Sequence, residues 1–221
     1  MDRRSHWENV YHTKQATEVS WFEVEPATSL ALIQGVAPTG GRIIDVGGGA
    51  SLLVDRLVAA KIWDVTVLDV SATALELAQA RLREKAHYVR WIQADITEAQ
   101  QLGVYDIWHD RAVFHFLTTP QDRAAYLDRL HAALCPGGYV ILGTFALSGP
   151  DKCSGLPVCR YDAPSLAAAL GPAYSLVQQL EHSHLTPNGK TQQFTFVAFR
   201  KASESPTAPM QTRHPDAKET I

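Results

Sequence analysis

The chain has 221 residues, of which 46% are hydrophobic and 19% are charged, so it is long enough for one globular domain with a sizeable core. A formal net charge of −3 excludes a broad basic surface, and we expect no nucleic-acid partner. The first residues lack the apolar segment of a signal peptide, and no apolar run approaches the ~18 residues of a membrane span. We therefore expect a cytoplasmic protein without membrane contact.

Strand-like and helix-like runs alternate along the chain after an aromatic-rich lead segment at residues 1–38, which contains a helix at 27–36. Short runs of β-branched and aromatic residues predict strands, and apolar residues at helical spacing predict helices. The predicted strands are 42–46, 64–70, 88–93, 105–109 and 139–145, and the helices between them are 52–60, 72–85 and 121–134. Ser71 is the expected N-cap of the helix at 72–85. This alternation is typical of βαβ units.

The last part of the domain has a different pattern. Residues 174–184 and 191–199 are strand-like, and the short connection between them contains Asn188-Gly189, a strong hairpin signal. We therefore predict an α/β fold with a doubly wound, mostly parallel seven-stranded sheet that ends in a C-terminal antiparallel hairpin. The main domain covers residues 39–200, and residues 201–221, which lack periodicity, are predicted to form a disordered tail.

Three consecutive glycines, Gly47 to Gly49, connect the first predicted strand to the following helix. Glycine tolerates positive φ and lets a ligand approach the bare backbone, and the N–H groups at a helix start then face that ligand. The simpler alternative is a tight turn that binds nothing, because any sharp strand-to-helix connection uses glycine.

Aspartates at the ends of the next two strands favour the ligand. Asp69 lies 24 residues after Asp45, where a carboxylate accepts hydrogen bonds from both hydroxyls of a ribose, and Asp95 follows the third strand, beside the place of an adenine. The carboxyl ends of parallel strands meet at one crevice. As alternatives, Asp45 caps a helix and Asp95 is a turn residue. Leu52 is too bulky for the third small residue of an NAD-binding loop, which disfavours NAD.

In combination these motifs resemble the class I (seven-strand, Rossmann-like) S-adenosylmethionine (SAM)-dependent methyltransferase family over residues 40–200. The loop DVGGGAS at 45–51 is similar to the family's D-x-G-x-G-x-G loop, with Ser51 where a third glycine is common. YDIWHDRA at 105–112 resembles its fourth-strand motif, and LCPGG at 134–138 its turn before strand five. The closing hairpin is similar to the family's reversed last strand.

The resemblance implies SAM as cofactor, with Asp45 orienting the loop and reaching the methionine amino group. The residues that it implies for SAM binding are Asp45, Gly47, Gly49, Asp69, Val70, Asp95, Ile96, Asp110, Tyr11 and Trp21. Tyr11 and Trp21 belong to a W-x-x-x-Y-x-x-K…W-[FY] opening, which in part of the family folds over the cofactor. The alternative is a helix whose aromatic side chains only pack on the core.

The sequence indicates the residues that bind the methyl acceptor less clearly. His115, just after the fourth strand, is a candidate to position or deprotonate an acceptor, and the alternative is a histidine packed in the core. The long polar loop 148–161 offers Arg160 and Tyr161 as substrate-binding residues. For Asp110 and Arg111, the alternative to a functional role is that the two side chains only pair with each other.

Three cysteines, Cys135, Cys153 and Cys159, suit reduced thiols, and their spacing matches no common zinc signature, so we predict no metal site. One alternative stays open, in which Cys153 and Cys159, together with Cys135 or with His182 and His184, hold a thiophilic metal or metalloid. The two histidines share one face of a strand, which also suits a solvent-facing surface.

The sequence thus predicts a SAM-dependent methyltransferase that transfers a methyl group by in-line displacement to a small molecule. A protein (lysine-type) methyltransferase is the first alternative, because some of these share the lead segment. An NAD-linked oxidoreductase and a non-catalytic SAM-binding protein are the others.

Overall fold

The computed structural model describes residues 2–203. Its helices are α1 (Arg3–Thr13), α2 (Ala27–Val36), α3 (Leu53–Ala60), α4 (Ala72–Leu82), α5 (Pro120–Ala133) and α6 (Ala163–Leu170). Its strands are β1 (Gly41–Val46), β2 (Trp63–Asp69), β3 (Val89–Gln93), β4 (Tyr105–Arg111), β5 (Leu134–Phe145), β6 (Lys152–Cys153), β7 (Leu156–Pro157), β8 (Tyr174–Leu185) and β9 (Thr191–Lys201). In the described part of the chain, no helix is both long and apolar enough to cross a membrane.

Seven strands form one sheet in the order β3-β2-β1-β4-β5-β9-β8, and β6 and β7 form a separate hairpin. The pairs among β1 to β5 are parallel, whereas β9 runs antiparallel to both β5 and β8. The predicted fold class is confirmed, including the C-terminal hairpin. The strand order reverses between β1 and β4, and in such sheets ligands bind at this point, beyond the carboxyl ends of the strands.

Helices cover both faces of the sheet, because successive side chains of a buried strand point to opposite sides. On one face, α2, α3 and α4 pack on residues such as Ile43, Val65 and Ile107. On the other face, α5 and α6 pack on residues such as Ile44 and Trp108.

Two boundaries differ from the prediction. α4 ends at Leu82 instead of residue 85, because Arg83 has a positive φ of 55° and begins a 3-10 turn, Arg83–Tyr88. α5 ends at Ala133, and β5 begins five residues earlier than predicted, because Leu134 already pairs with Tyr105 before an irregularity in the ladder. Ser71 is the N-cap of α4, as predicted, and its hydroxyl accepts from the N–H of Ala74.

The division into a lead segment at 1–38 and a domain at 39–200 stays a prediction. The predicted tail at 201–221 lies, from residue 204 onward, outside the described residues, and Lys201 is the last residue of β9.

Candidate functional site

A cleft opens where β1 to β4 end, and α1 and the segment after it cover one side of the cleft. The strand ends contribute Val46, Leu68 and Asp69 to its walls, and α1 contributes Arg3, Trp7 and Tyr11. The empty space in and around the cleft is about 770 Å³, open solvent included.

The glycine loop forms the floor of the cleft with almost no space for side chains. Gly47 and Gly49 have positive φ values of 68° and 42°. A Cβ atom on Gly47 would lie 2.0 Å from Cγ2 of Val113, and one on Gly49 would lie 2.7 Å from Oδ2 of Asp69. The N–H groups of Gly47 and Gly48 both donate to the carbonyl of Leu68, so these two donors hold the loop to β2 instead of facing a ligand.

Asp69 presents a carboxylate that is 7% exposed at the edge of this floor. Its Oδ1 accepts a hydrogen bond of 2.9 Å from the N–H of Ser71. Burial, reinforced by the nearby charge of Asp45, raises the pKa of Asp69 to about 7. An ionised Asp69 therefore gains from any ligand that donates hydrogen bonds to it.

A second, adjoining cavity shares Tyr11, Trp21, Gly47 and Arg111 with the cleft and also contains Asp45. Oδ1 of Asp45 lies 2.7 Å from Nδ1 of His109, whose Nε2 lies 2.9 Å from Oγ of Ser29. All three side chains are almost fully buried. His109 thus fixes the orientation of Asp45, a role that the sequence interpretation did not assign to it. Pairing β1 with β4 would have predicted this contact, because Asp45 and His109 are direct partners in the β1–β4 ladder.

Charged contacts hold α1 over the cleft at two points. Arg3 bridges Asp95 and Asp122, with shortest distances of 3.0 and 2.6 Å. Glu8 accepts from the N–H of Ala72 at 2.6 Å and from the hydroxyl of Ser71 at 3.1 Å. Its carboxylate therefore sits at the positive N-terminal end of α4.

Aromatic rings close the space between these two contacts. Trp7 lies edge-on to Trp21 and to Phe116, with ring centroids 5.6 and 5.0 Å apart. Tyr11 lies 6.3 Å from Trp21 in a similar arrangement. Trp7, Tyr11, Trp21 and Phe116 all line the cleft, so its covered side is apolar and excludes water.

The inner end of the cleft carries Arg111 and Cys153. Arg111 donates to the carbonyl of Trp21 at 2.6 Å and pairs with Glu23 at 3.3 Å, so it holds the segment that follows α1. Asp110 and Arg111 each have other partners, and the expected pair between them is wrong. Burial raises the pKa of the Cys153 thiol to about 11, so it is protonated at neutral pH.

The comparisons with known proteins agree with this geometry. Residues 44–140 match the family model described as a methyltransferase domain. Over these residues, a little under half of the chain, the sequence is similar to methyltransferase domains.

An uncharacterized methyltransferase of Mycobacterium tuberculosis is 34% identical over 117 residues, which are 52% of this chain and 56% of that protein. The match thus spans little more than half the length of this curated relative.

Solved structures of methyltransferases have the same fold. NodS, an N-methyltransferase of Bradyrhizobium japonicum with bound S-adenosylhomocysteine, gives a TM-score of 0.67 at 18% identity over 90% of this chain and 99% of its own. The 1,6-didemethyltoxoflavin-N1-methyltransferase of Burkholderia thailandensis, with bound 1,6-didemethyltoxoflavin and S-adenosylhomocysteine, gives 0.65 at 20% identity over 90% and 87%.

Most residues that the class I resemblance singles out come together in this structure. The cleft is lined by Tyr11, Trp21, Gly47, Asp69, Val70, Asp95 and Ile96. Asp45 lines the adjoining cavity, and Gly49 lies against Asp69 beneath the cleft. The roles of these residues in binding SAM stay predictions.

Asp110 does not lie where the prediction placed it. Its side chain is fully buried on the opposite face of the sheet from His109 and Arg111, since neighbours along a strand point to opposite sides. It accepts hydrogen bonds from the N–H groups of Val113 and Phe114 and from the hydroxyl of Tyr126. Asp110 therefore shapes the turn after β4 instead of lining the cleft.

His115 is also displaced from its predicted position. Its ring is fully buried, packs on Phe145 with centroids 4.7 Å apart, and accepts from the N–H of Phe145 at 3.3 Å. Burial lowers its pKa to about 3. The structure thus favours the core histidine over the predicted acceptor-binding base.

The predicted substrate residues Arg160 and Tyr161 lie outside the cleft as well. Arg160 is exposed and donates to the carbonyl of Gly149, and Tyr161 packs in the core against Phe114. The loop 148–161 reaches the cleft instead through Cys153, at the β6–β7 hairpin.

The three cysteines have separate environments. Sγ of Cys135 lies 3.4 Å from a carboxylate oxygen of Asp106, Cys159 lies beside Arg123, and Cys153 lines the cleft. His182 and His184 face Glu23 and not a cysteine, which contradicts the shared thiol and histidine site. His184 is 4% exposed, so a solvent-facing surface is also wrong for it.

Proposed function

We propose that this protein binds SAM with its adenosine along the cleft and its methionine part in the adjoining cavity, and transfers the methyl group to a small molecule. The observation that carries the proposal is the convergence of Asp69, Asp95 and the glycine loop beneath one aromatic cover. The residues present also fit this cofactor, because the buried carboxylate of Asp69 lines the cleft beside the apolar side chains of Val70 and Ile96.

Each part of the site suits one part of SAM. Asp69 accepts hydrogen bonds from the ribose hydroxyls, and Val70 and Ile96 provide apolar surface for the adenine. Asp45, held by His109, accepts from the positively charged amino group of the methionine part. Such contacts would hold the two ends of the cofactor, and Trp21 and Arg111 line both the cleft and the adjoining cavity where the two meet.

When bound, SAM supplies a methyl group on a positively charged sulfur, and a nucleophile that attacks this carbon displaces the sulfur with its electron pair. The protein contributes position and exclusion of water. Trp7, Tyr11 and Trp21 exclude water, and Arg111 holds the main chain of Trp21 in place.

The groups at the cleft favour an acceptor that arrives with a free electron pair. Among the described residues that line it, the ionisable ones are Arg3, Tyr11, Asp69, Asp95, Arg111 and Cys153. Asp69 and Asp95 are occupied by the cofactor in this proposal. Burial raises the pKa of Tyr11 far above neutrality and keeps Cys153 a thiol, so neither of these two accepts a proton at pH 7. An amine or another nucleophile that is already unprotonated fits this environment.

The cover supports a small acceptor over a protein chain. With α1 held at Arg3 and at Glu8, the space beside the cofactor site is bounded by rings, and a folded partner has to displace α1 to enter. The B. thailandensis neighbour, which acts on 1,6-didemethyltoxoflavin, has the same fold with a small-molecule acceptor.

Calorimetry with S-adenosylhomocysteine, SAM and NAD tests the cofactor. We expect micromolar binding of the first two and none of NAD. Asp69→Ala weakens binding by about 1–3 kcal/mol, the cost of leaving the ribose hydroxyls without a partner. Absence of SAM binding below millimolar concentration contradicts the proposal.

Incubation with radiolabelled SAM and cell extract tests the acceptor. After separation of proteins from metabolites, we expect the label in the small-molecule fraction. Label in the protein fraction alone would establish the protein methyltransferase instead.

A further inference from the structure

Glu23, His182 and His184 form a cluster between the segment that follows α1 and strand β8. Oε1 of Glu23 lies 3.4 Å from Nδ1 of His184 and 3.7 Å from Nε2 of His182. One ligand atom from each residue lies within 4.8 Å of the other two. Glu23 also lines the cavity proposed for the methionine part of SAM, whereas His182 and His184 line a different cavity. The inference about the cluster does not depend on the proposed function.

The hydrogen bonds of His184 determine which of its nitrogens carries the proton. Nε2 lies 2.8 Å from the carbonyl oxygen of Ser20. A carbonyl only accepts, so Nε2 has to carry a hydrogen. In the neutral ring, Nδ1 is then a lone pair directed at a carboxylate oxygen of Glu23.

Two lone pairs that face each other in a buried site repel, and a positive charge between them removes the repulsion. That charge is either a proton on Nδ1 or a metal ion. His182 allows either arrangement, because its Nδ1 lies 3.2 Å from the hydroxyl of Thr28, which can donate or accept, while its Nε2 faces the same oxygen of Glu23.

We propose that Glu23, His182 and His184 bind a divalent transition-metal ion of the zinc type. Zinc bonds of about 2.0–2.2 Å in a tetrahedral site separate the ligand atoms by about 3.3–3.6 Å. Oε1 of Glu23 lies 3.4 Å from Nδ1 of His184, within this range, and 3.7 Å from Nε2 of His182, slightly beyond it. Two histidines and one glutamate are an established zinc ligand set with a fourth position left open.

The surroundings match those of a metal site. The carbonyl of Ser20 and the hydroxyl of Thr28 fix the two rings from behind, as the outer hydrogen bonds of metal-binding histidines do. A cavity lies beside the cluster and is also lined by Glu25, so a water molecule has access to the fourth position and a second carboxylate lies near.

Arg111 is the group that competes with the ion, because its Nη1 lies 3.3 Å from Oε1 of Glu23. A carboxylate has about four lone-pair positions, so Glu23 has room for both Arg111 and the ion. The ion would then tie β8 to the segment that carries Trp21, next to the cleft.

Titration of the full-length chain, first stripped of metal with a chelator and dialysed, tests the site. We expect one equivalent of Zn²⁺ by calorimetry, a rise in melting temperature on zinc addition, and visible absorption from a low-symmetry site with Co²⁺. His182→Gln lowers the zinc affinity at least tenfold and abolishes the zinc-dependent rise in melting temperature. This variant is expected to fold, because the side chain of His182 is 32% exposed.

His87→Gln is the matched control, since His87 is exposed and remote from the cluster in sequence. Glu23→Gln provides a second variant at the site, with the expected loss of affinity again at least tenfold. Less than a fifth of an equivalent of bound zinc, or equal zinc affinities in His182→Gln and His87→Gln, overturns the proposal and leaves a protonated ion pair in its place.

Discussion

At the scale of single residues, the ionisation of Asp69 makes ligand binding depend on pH. Its pKa of about 7 in the free protein means that half of the carboxylates are protonated at neutral pH. Ribose hydroxyls donate to the ionised form, so binding has to release the proton. We expect the affinity for S-adenosylhomocysteine to rise about tenfold per pH unit from pH 5.5 to 7 and to level off above.

Calorimetry in buffers of different ionisation enthalpy measures both the affinity and the released proton. Asp69→Asn, which cannot ionise, serves as the control and should bind weakly with a flat profile. A flat profile in the unaltered protein would show that Asp69 does not titrate on binding.

His109 permits a second prediction at this scale. His109→Leu leaves the carboxylate of Asp45 buried without its partner, and removal of one member of a buried pair costs about 3–5 kcal/mol. Ser29→Ala removes only the bond from the hydroxyl to Nε2 and costs about 1 kcal/mol. Denaturant unfolding of the two variants checks this order, and equal losses would show that His109 does not support Asp45.

The residues also show what motif spacing predicts and what it leaves open. The positions of Asp69, Asp95 and Gly47 were predictable, because each lies at a strand end or in a sharp turn. There the backbone determines the position, and the direction of the side chain does not matter. Asp110 and His115 were not, since a motif gives a position along the chain but not the face of the strand or the direction of a side chain in the following turn. Cys153 reaches the cleft only through the β6–β7 hairpin, for which the sequence has no strong signal.

At the scale of elements, the ion pairs of α1 fix its position over the cleft but contribute little to the stability of the fold. Partly exposed ion pairs such as Arg3 with Asp95 and Asp122 contribute about 0–1 kcal/mol to stability. They nevertheless tie the first turn of α1 to Asp95 and Asp122 on other elements, so we expect α1 to open more often when they are removed.

Arg3→Ala should therefore weaken binding more than it destabilises the fold. We expect S-adenosylhomocysteine to dissociate about three- to tenfold faster, with a melting temperature within a few degrees of the unaltered protein. Stopped-flow displacement measures the rate. Arg4→Ala, at the exposed neighbouring position, is the control, and an equal acceleration there would remove the role of the Arg3 contacts.

Element boundaries were predictable where the sequence has explicit signals. α2 and the hairpin strands begin where expected because a proline precedes α2 and Asn188-Gly189 separates the strands. The end of α4 and the start of β5 differ because a positive φ at Arg83 and the pairing of Leu134 with Tyr105 arise from tertiary packing. The helix and strand propensities of the residues predict neither this positive φ nor this strand pairing.

At the scale of the whole molecule, the cleft lowers the stability of the free protein. An aspartate whose pKa is raised in the folded state binds more protons there than in the unfolded chain. Because of Asp69, the free energy of unfolding therefore falls as pH rises from about 4 to 7. His115 acts in the opposite direction, because its lowered pKa makes stability increase as pH rises from about 3 to 6.5. The two trends partly cancel, so the total profile of the protein does not reveal either group.

A difference between variants isolates Asp69. Asn at this position keeps an acceptor for the N–H of Ser71 and carries no charge, so Asp69→Asn should gain stability relative to the unaltered protein as pH rises from 4.5 to 7.5. At the upper end the gain is of the order of a few kcal/mol. Denaturant unfolding at several pH values measures it, and saturating S-adenosylhomocysteine should narrow the difference, because the ligand stabilises the unaltered protein more than the asparagine variant. If Asp69→Asn is less stable than the unaltered protein at every pH, the carboxylate of Asp69 stabilises the fold. That result would contradict the conclusion that its burial destabilises the free protein.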